Sequence, residues 1–88
     1  MNIHQTIPLA MIEARSRARL ITFKAGRGLQ ARLAAMGLYP GVELEVISNH
    51  FAGPCIVAIN GTRFMLGRGM AHKILVERIT RHGLAATS

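Results

Sequence analysis

The sequence contains no aspartate and no tryptophan, only one cysteine, and only three phenylalanines and one tyrosine as aromatic residues. A single cysteine, Cys55, excludes an intrachain disulfide and is typical of a protein from a reducing compartment. The only acidic residues are four glutamates, so paired carboxylates for acid–base catalysis have few candidates. So few aromatic side chains also exclude the aromatic-lined groove that binds polyproline peptides.

Long apolar runs are missing as well. The longest stretch without Lys, Arg or Glu, residues 46–62, is interrupted by glycine, proline and asparagine, and it predicts no membrane-spanning helix. Residues 1–5 show neither the basic region nor the apolar stretch of a signal peptide. We therefore predict a cytoplasmic protein.

Basic residues dominate the charge. Eleven lysines and arginines against four glutamates give a net charge of +7, and no acidic residue lies between Glu13 and Glu43. Such a field favours an anionic partner, namely nucleic acid, an anionic membrane surface or an acidic protein face. The alternative is a solvated basic surface with no partner. Because consecutive elements are usually neighbours, we predict that one basic patch binds the partner; its residues are Arg19, Lys24, Arg27 and Arg32.

Half of the residues are apolar, which is enough for a core. Alternating apolar positions predict five short strands, and the spacing of Leu29, Leu33 and Met36 predicts one helix over residues 29–36. Gly37 suits a helix C-terminus at positive φ, and residues 39–42 predict a type II turn. Asn60-Gly61 predicts a hairpin. The strands are predicted at residues 17–23, 42–47, 55–59, 62–66 and 73–78, with a possible helical turn at 9–14 and a tight turn or helical turn at 67–71.

Short strands joined by tight turns favour a closed sheet, because closure removes exposed edges. The predicted fold is mainly β, a small SH3-like five-stranded barrel with one short α-helix after the first strand. We expect an N-terminal arm at residues 1–7, one domain at residues 8–79 and a flexible tail at residues 80–88.

Few residues are candidates for catalysis or metal binding. Cys55 could be a nucleophile beside a histidine, but it starts an apolar strand and is interpreted as a core residue. Glu43 and Glu45 share a strand face that points to water. His50 and Cys55 flank one loop, yet no histidine, cysteine or glutamate stands at a metal-site spacing. The sequence predicts no catalytic residue, no tight metal site and no cofactor.

One segment resembles a known family. Residues 30–42 read Q-A-R-L-A-A-M-G-L-Y-P-G-V, which is similar to the R-L-x-x-(M/L)-G-(L/I)-x-P-G signature of FeoA-type ferrous iron transport proteins. Residues 53–61 resemble that family's G-P, hydrophobic strand and glycine, and residues 64–76 resemble its L-x-x-x-x-A-x-x-I-x-V ending. Pro8-Leu9 matches a frequent start. The resemblance covers residues 8–78.

This resemblance implies a cytosolic accessory protein with an SH3-like fold. It would act by protein–protein interaction on the membrane ferrous iron transporter, whose cytosolic part contains a GTPase-like domain. Attraction to an anionic membrane surface is compatible with that role. The rival prediction is a small basic barrel that binds RNA or another anionic partner, although base stacking requires exposed aromatic side chains.

Overall fold

The computed structural model describes residues 6–50 and 52–79. Its strands and helices follow the predicted order, with one additional strand at the N-terminal end. The elements are β1 (Ile7–Pro8), a 3₁₀ turn (Leu9–Met11), β2 (Arg17–Phe23), α1 (Arg27–Ala35), β3 (Glu43–Asn49), β4 (Cys55–Ile59), β5 (Thr62–Leu66), α2 (Arg68–Lys73) and β6 (Ile74–Ile79).

The strands form one antiparallel sheet with the order β1-β6-β2-β3-β4-β5. Within the described residues β1 and β5 do not pair with each other, so the expected closure does not remove the two edges. Among the described residues, six strands are present where five were predicted, because Ile7 pairs with Val76 and Pro8 with Leu75. A two-residue strand is too short to show alternation in a sequence. Ile7, the last residue of the predicted arm, therefore belongs to the sheet, whereas residues 1–5 and 80–88 lie outside the described residues.

Two irregularities bend the sheet. The register of β2 against β6 shifts between Leu20 and Thr22, and that of β3 against β4 shifts between Val46 and Ser48. A bulge inserts one residue into one strand and increases the local twist. Unbroken alternation would have turned Thr22 inward with Leu20, but Thr22 is exposed beyond the bulge.

The core is entirely apolar. Alternate residues of each long strand point inward, as expected of a sheet with one buried face. Within residues 6–50 and 52–79, no polar or charged residue is buried. The buried residues are Leu9, Ala10, Ile12, Ala18, Leu20, Leu33, Leu38, Leu44, Val46, Cys55, Val57, Ile59, Leu66, Ala71, Ile74 and Val76.

Helix α1 begins two residues before the predicted start and ends at Ala35. Leu33 is its only buried residue, while Leu29 is partly buried against the core. The spacing that predicts the helix also predicts that Met36 is buried with Leu29 and Leu33, and this part of the prediction is wrong. Met36 is the C-cap residue and is 37% exposed, because the chain leaves the helix there.

The C-terminus of α1 forms a Schellman motif. Gly37 has φ +97°, its N–H donates to Ala34 O at 2.9 Å, and Leu38 N–H donates to Leu33 O at 2.8 Å. This is the 5→2 and 6→1 pattern, with Leu38 returning to the core. The predicted positive φ of Gly37 is confirmed.

The two predicted turns are confirmed. Gly41 has φ +98°, and Val42 N–H donates to Tyr39 O at 3.1 Å, as in a type II turn. Asn60 and Gly61 have φ +51° and +83°, the left-handed pair of a type I′ hairpin. The first turn leads from α1 into β3, and the second joins β4 to β5.

Candidate protein-docking surface

Arg19, the first predicted binding residue, lies in a ladder of charges on the outer face of the sheet. Its guanidinium donates to Glu77 at 3.0 Å and to Glu43 at 3.1 Å, and Arg17 reaches Glu43 at 3.5 Å. The hydrogen bonds that Arg19 donates to Glu77 and Glu43 raise the pKa of Arg19, and the one accepted by Glu43 lowers the pKa of that carboxyl group. The register pairs Arg19 directly with both glutamates, so its charge is offset locally.

The other three predicted residues have no such partner. Lys24 follows β2, Arg27 is the first residue of α1 and Arg32 lies in its last turn. All three are exposed, and none forms an ion pair within the described part of the chain. Gln30 Nε2 donates to Ala25 O at 2.8 Å and holds the helix against the preceding loop.

Sequence reasoning missed one neighbouring cation, Lys73. Lys24 N–H donates to Lys73 O at 2.8 Å, so the two backbones are adjacent, and both side chains are exposed. The pairing of β2 with β6, which are about fifty residues apart in sequence, creates this contact. A local sequence pattern therefore does not predict it. We call Lys24, Arg27, Arg32 and Lys73 the basic surface.

The start of α1 is not built for helix stability. Its first turn contains no acidic residue, Gly26 provides no side-chain cap, and Arg27 places a positive charge at the positive end of the helix dipole. A Cβ added to Gly28 would meet nothing within 4 Å, so the space there would accept a better helix former. These residues lower the stability of α1 and leave its N-terminal end cationic.

A second polar cluster, also unpredicted, surrounds Arg68 at the start of α2. Its guanidinium donates to Asn49 Oδ1 at 3.1 Å and to three backbone carbonyl oxygens. Those are His50 O at 2.6 Å, Gly53 O at 3.1 Å and Ala10 O at 3.2 Å. Asn49 Nδ2 in turn donates to Ala10 O at 3.0 Å. The cluster ties the β3–β4 loop to the 3₁₀ turn.

Cys55 is buried at the start of β4, in agreement with its interpretation as a core residue. Burial raises the pKa of its thiol, although the nearby Arg68 charge opposes the shift. A thiol with a raised pKa stays protonated near neutral pH and is a poor nucleophile. Residues 6–50 and 52–79 contain no group of three histidine, cysteine or acidic side chains that could hold a metal ion.

A shallow groove of about 450 Å³ lies on the outer face beside the Asn60-Gly61 turn. Its lining is mainly polar, with Arg17, Glu43 and Glu45 among the charged residues. Small-molecule sites are concave and mostly apolar, so this groove does not have their character. No helix in the described part of the chain is long and apolar enough to cross a membrane.

Comparison with known proteins identifies the architecture. The family model for the FeoA domain matches residues 7–78. The chain is 39% identical over 70 residues to "Putative Fe(2+) transport protein A" of Methanocaldococcus jannaschii, covering 80% of this chain and 84% of that protein.

Solved structures agree with this match. The crystal structure of an iron uptake regulatory protein (FeoA) superimposes with a TM-score of 0.79 at 28% identity, covering 85% of this chain and 100% of that one. A manganese-dependent transcriptional repressor gives a TM-score of 0.77 at 21% identity, covering 90% of this chain and 45% of that one. The repressor shows a shared fold only. The predicted mainly β, SH3-like class is confirmed.

Proposed function

The chain belongs to the FeoA family, and from this premise we propose that it is an accessory protein of ferrous iron transport. It acts by binding the cytosolic, GTPase-containing part of the membrane ferrous iron transporter. The observation that carries the proposal is the FeoA match over residues 7–78, which spans nearly all of the described chain. The coarse role, in ferrous iron transport, agrees with the names of its relatives.

Binding suits the chemistry of the chain better than catalysis does. Cys55 is buried with a raised pKa, and three of the four glutamates form ion pairs with arginines. Nucleophilic catalysis requires a nucleophile next to a base. These groups include no such pair. We propose that the protein is not an enzyme and works in the cytoplasm, without a cofactor of its own.

The basic surface is the proposed contact. Its cations are exposed and unpaired within the described residues, so they are free to attract an acidic face of the transporter. Arg19 contributes less to the contact, because Glu43 and Glu77 already offset its charge. Exposed charges act mainly on the association rate and lose influence beyond about 10 Å at ordinary salt.

Charge reversal on α1 tests this contact. Arg27→Glu combined with Arg32→Glu should weaken binding to the purified cytosolic domain of the transporter, strongly at low salt and less as salt rises. Binding is measured by biolayer interferometry with and without guanine nucleotide. The control is Arg15→Glu with Arg78→Glu, which changes net charge equally near the start of β2, at the opposite end from Lys24. Because Arg78 pairs with Glu13 at 3.0 Å, circular dichroism is used to verify that this variant folds before binding is compared.

The outcomes separate the candidate functions. Equal weakening by both double variants would show that only overall charge matters. Loss of RNA binding by the α1 variant, with transporter binding unchanged, would favour the RNA-binding alternative. That alternative has little structural support, since Tyr39 is the one strongly exposed aromatic residue of the described chain, at 50%.

A further inference from the structure

The two edges of the sheet differ in their protection against pairing with another chain. The β1 edge is two residues long, contains Pro8 and runs directly into the 3₁₀ turn. The β5 edge is five residues long, has no proline and pairs with β4 without a bulge. Short length, proline, bulges and charged side chains are the usual means of blocking an open edge. Of these four, β5 has only a charged side chain, Arg63.

The hairpin geometry determines which backbone groups of β5 face outward. Ile59 and Thr62 flank a two-residue turn and therefore form a hydrogen-bonded pair. Pairs alternate along an antiparallel ladder, so Arg63 and Met65 occupy non-hydrogen-bonded positions. Their N–H and C=O groups point away from β4. Within residues 6–50 and 52–79, no strand pairs with that side.

The side chains of the same two residues are also available. Met65 is 70% exposed, the largest value among the exposed apolar residues of the described chain. Arg63 is exposed and faces Ala58 across the ladder, so β4 offers it no carboxylate. No ion pair of the described residues includes Arg63. An added strand would lie on the side of Arg63 that faces away from β4.

We propose that the free edge of β5 binds an extended segment of a partner protein by strand addition. The segment carries an apolar residue beside Met65 and an acidic residue beside Arg63. In antiparallel pairing, the apolar residue precedes the acidic one by two positions, since alternate side chains share a face. Backbone hydrogen bonds hold the segment, and the two side-chain contacts select it. This inference does not depend on the partner named under the proposed function.

Charge complementarity selects this occupant over a second copy of the chain. Two chains of net charge +7 repel each other, whereas an acidic segment is attracted. A twofold pairing of two β5 strands centred on Phe64 would place each Arg63 beside Met65 of the other copy. Neither arginine would then gain a carboxylate.

A synthetic peptide tests the proposal on the full chain. The probe is a short threonine-rich peptide with one isoleucine and, two positions later, one glutamate. Saturation should slow amide hydrogen exchange at Arg63 and Met65, measured by NMR. Arg63→Glu should weaken binding roughly five- to tenfold, given the size of cross-strand pair effects. A probe with lysine in place of glutamate should restore binding to that variant.

Three results would overturn the inference. The first is unchanged exchange at Arg63 and Met65 when the peptide is saturating. The second is equal weakening by Arg32→Glu, a matched charge reversal on α1, which would indicate general attraction only. The third is a dimer of the free chain in analytical ultracentrifugation that Met65→Glu dissociates, since a second copy would then be the occupant.

Discussion

Arg68 and Arg32 are the same side chain in two regions of one small domain, and they have opposite roles. Arg68 donates to Asn49 and to three carbonyl oxygens and connects the β3–β4 loop with the 3₁₀ turn. Arg32 is exposed on α1 and forms no ion pair with the described residues. The net charge of +7 therefore mixes cations that hold the fold with cations available to a partner.

Removing Arg68 should have the largest effect on stability. Arg68→Ala removes the donor of Asn49 Oδ1 and of the Gly53 carbonyl, and hydrogen bonds to a charged group are strong, so we expect a loss of about 2–3 kcal/mol. Arg32→Ala, the matched control, should stay within about 0.5 kcal/mol. Urea unfolding measures both. Equal effects would show that the distinction between the two arginines is wrong.

A second pair of substitutions contrasts the two ends of α1. Gly37→Val should cost more than about 1 kcal/mol, because a β-branched residue is poorly tolerated at φ +97°. Gly28→Ala should instead stabilise the protein by about 0.5–1 kcal/mol, since Gly28 is helical with open space around it. Thermal unfolding followed by circular dichroism tests both. If Gly37→Val is neutral, the Schellman motif does not anchor α1.

Arg27→Glu should raise stability slightly while weakening partner binding. A negative charge in the first turn interacts favourably with the helix dipole, by about 0.3–1 kcal/mol. Arg27→Gln is the control, because it removes the positive charge without adding a negative one and should give an intermediate stability. A fall in melting temperature for Arg27→Glu would mean that Arg27 makes a stabilising contact.

The smallest effect concerns the charge ladder and appears only in acid. Arg19 lowers the pKa of Glu43 below the ordinary 4.5 in the folded protein. The ionised glutamate therefore stabilises the fold above its unfolded pKa, and this stabilisation is lost as the pH falls through the folded pKa. Glu43→Gln should therefore be less stable than the parent near neutral pH and approach it in acid. Added salt should reduce the difference in unfolding free energy between Glu43→Gln and the parent at neutral pH. If Glu43→Gln remains less stable than the parent at low pH, the loss of stability comes from packing and not from the ion pair.

Local patterns predicted most of the fold. The conformations of Gly37, Gly41 and the Asn60-Gly61 pair follow from backbone sterics. At these positions the structure agrees with the prediction. The errors arise where tertiary structure overrides a local pattern. Met36 fits the helical spacing but lies after the last helical turn, and the bulge after Leu20 breaks an alternation that looked continuous.

The candidate site was less accessible to sequence reasoning. Arg19 could not be distinguished from Arg27, because its partners Glu43 and Glu77 lie far away in sequence. Lys73 joins Lys24 only through the β2–β6 pairing, and Arg68 finds its acceptors across the fold. The sequence gives the number of charged residues. Whether each charge is paired or exposed depends on contacts between residues that are distant in sequence.

The strand order has a consequence for how the chain acquires its structure during synthesis. β6 is made last, yet it lies between β1 and β2. While the nascent chain emerges, β2, β3, β4 and β5 can assemble as consecutive antiparallel neighbours, but β1 has no partner until β6 arrives. Closing that long interval is entropically costly and slows assembly. An intermediate in which β6 has not yet joined the sheet therefore has four paired strands and a β2 edge that is open to other chains.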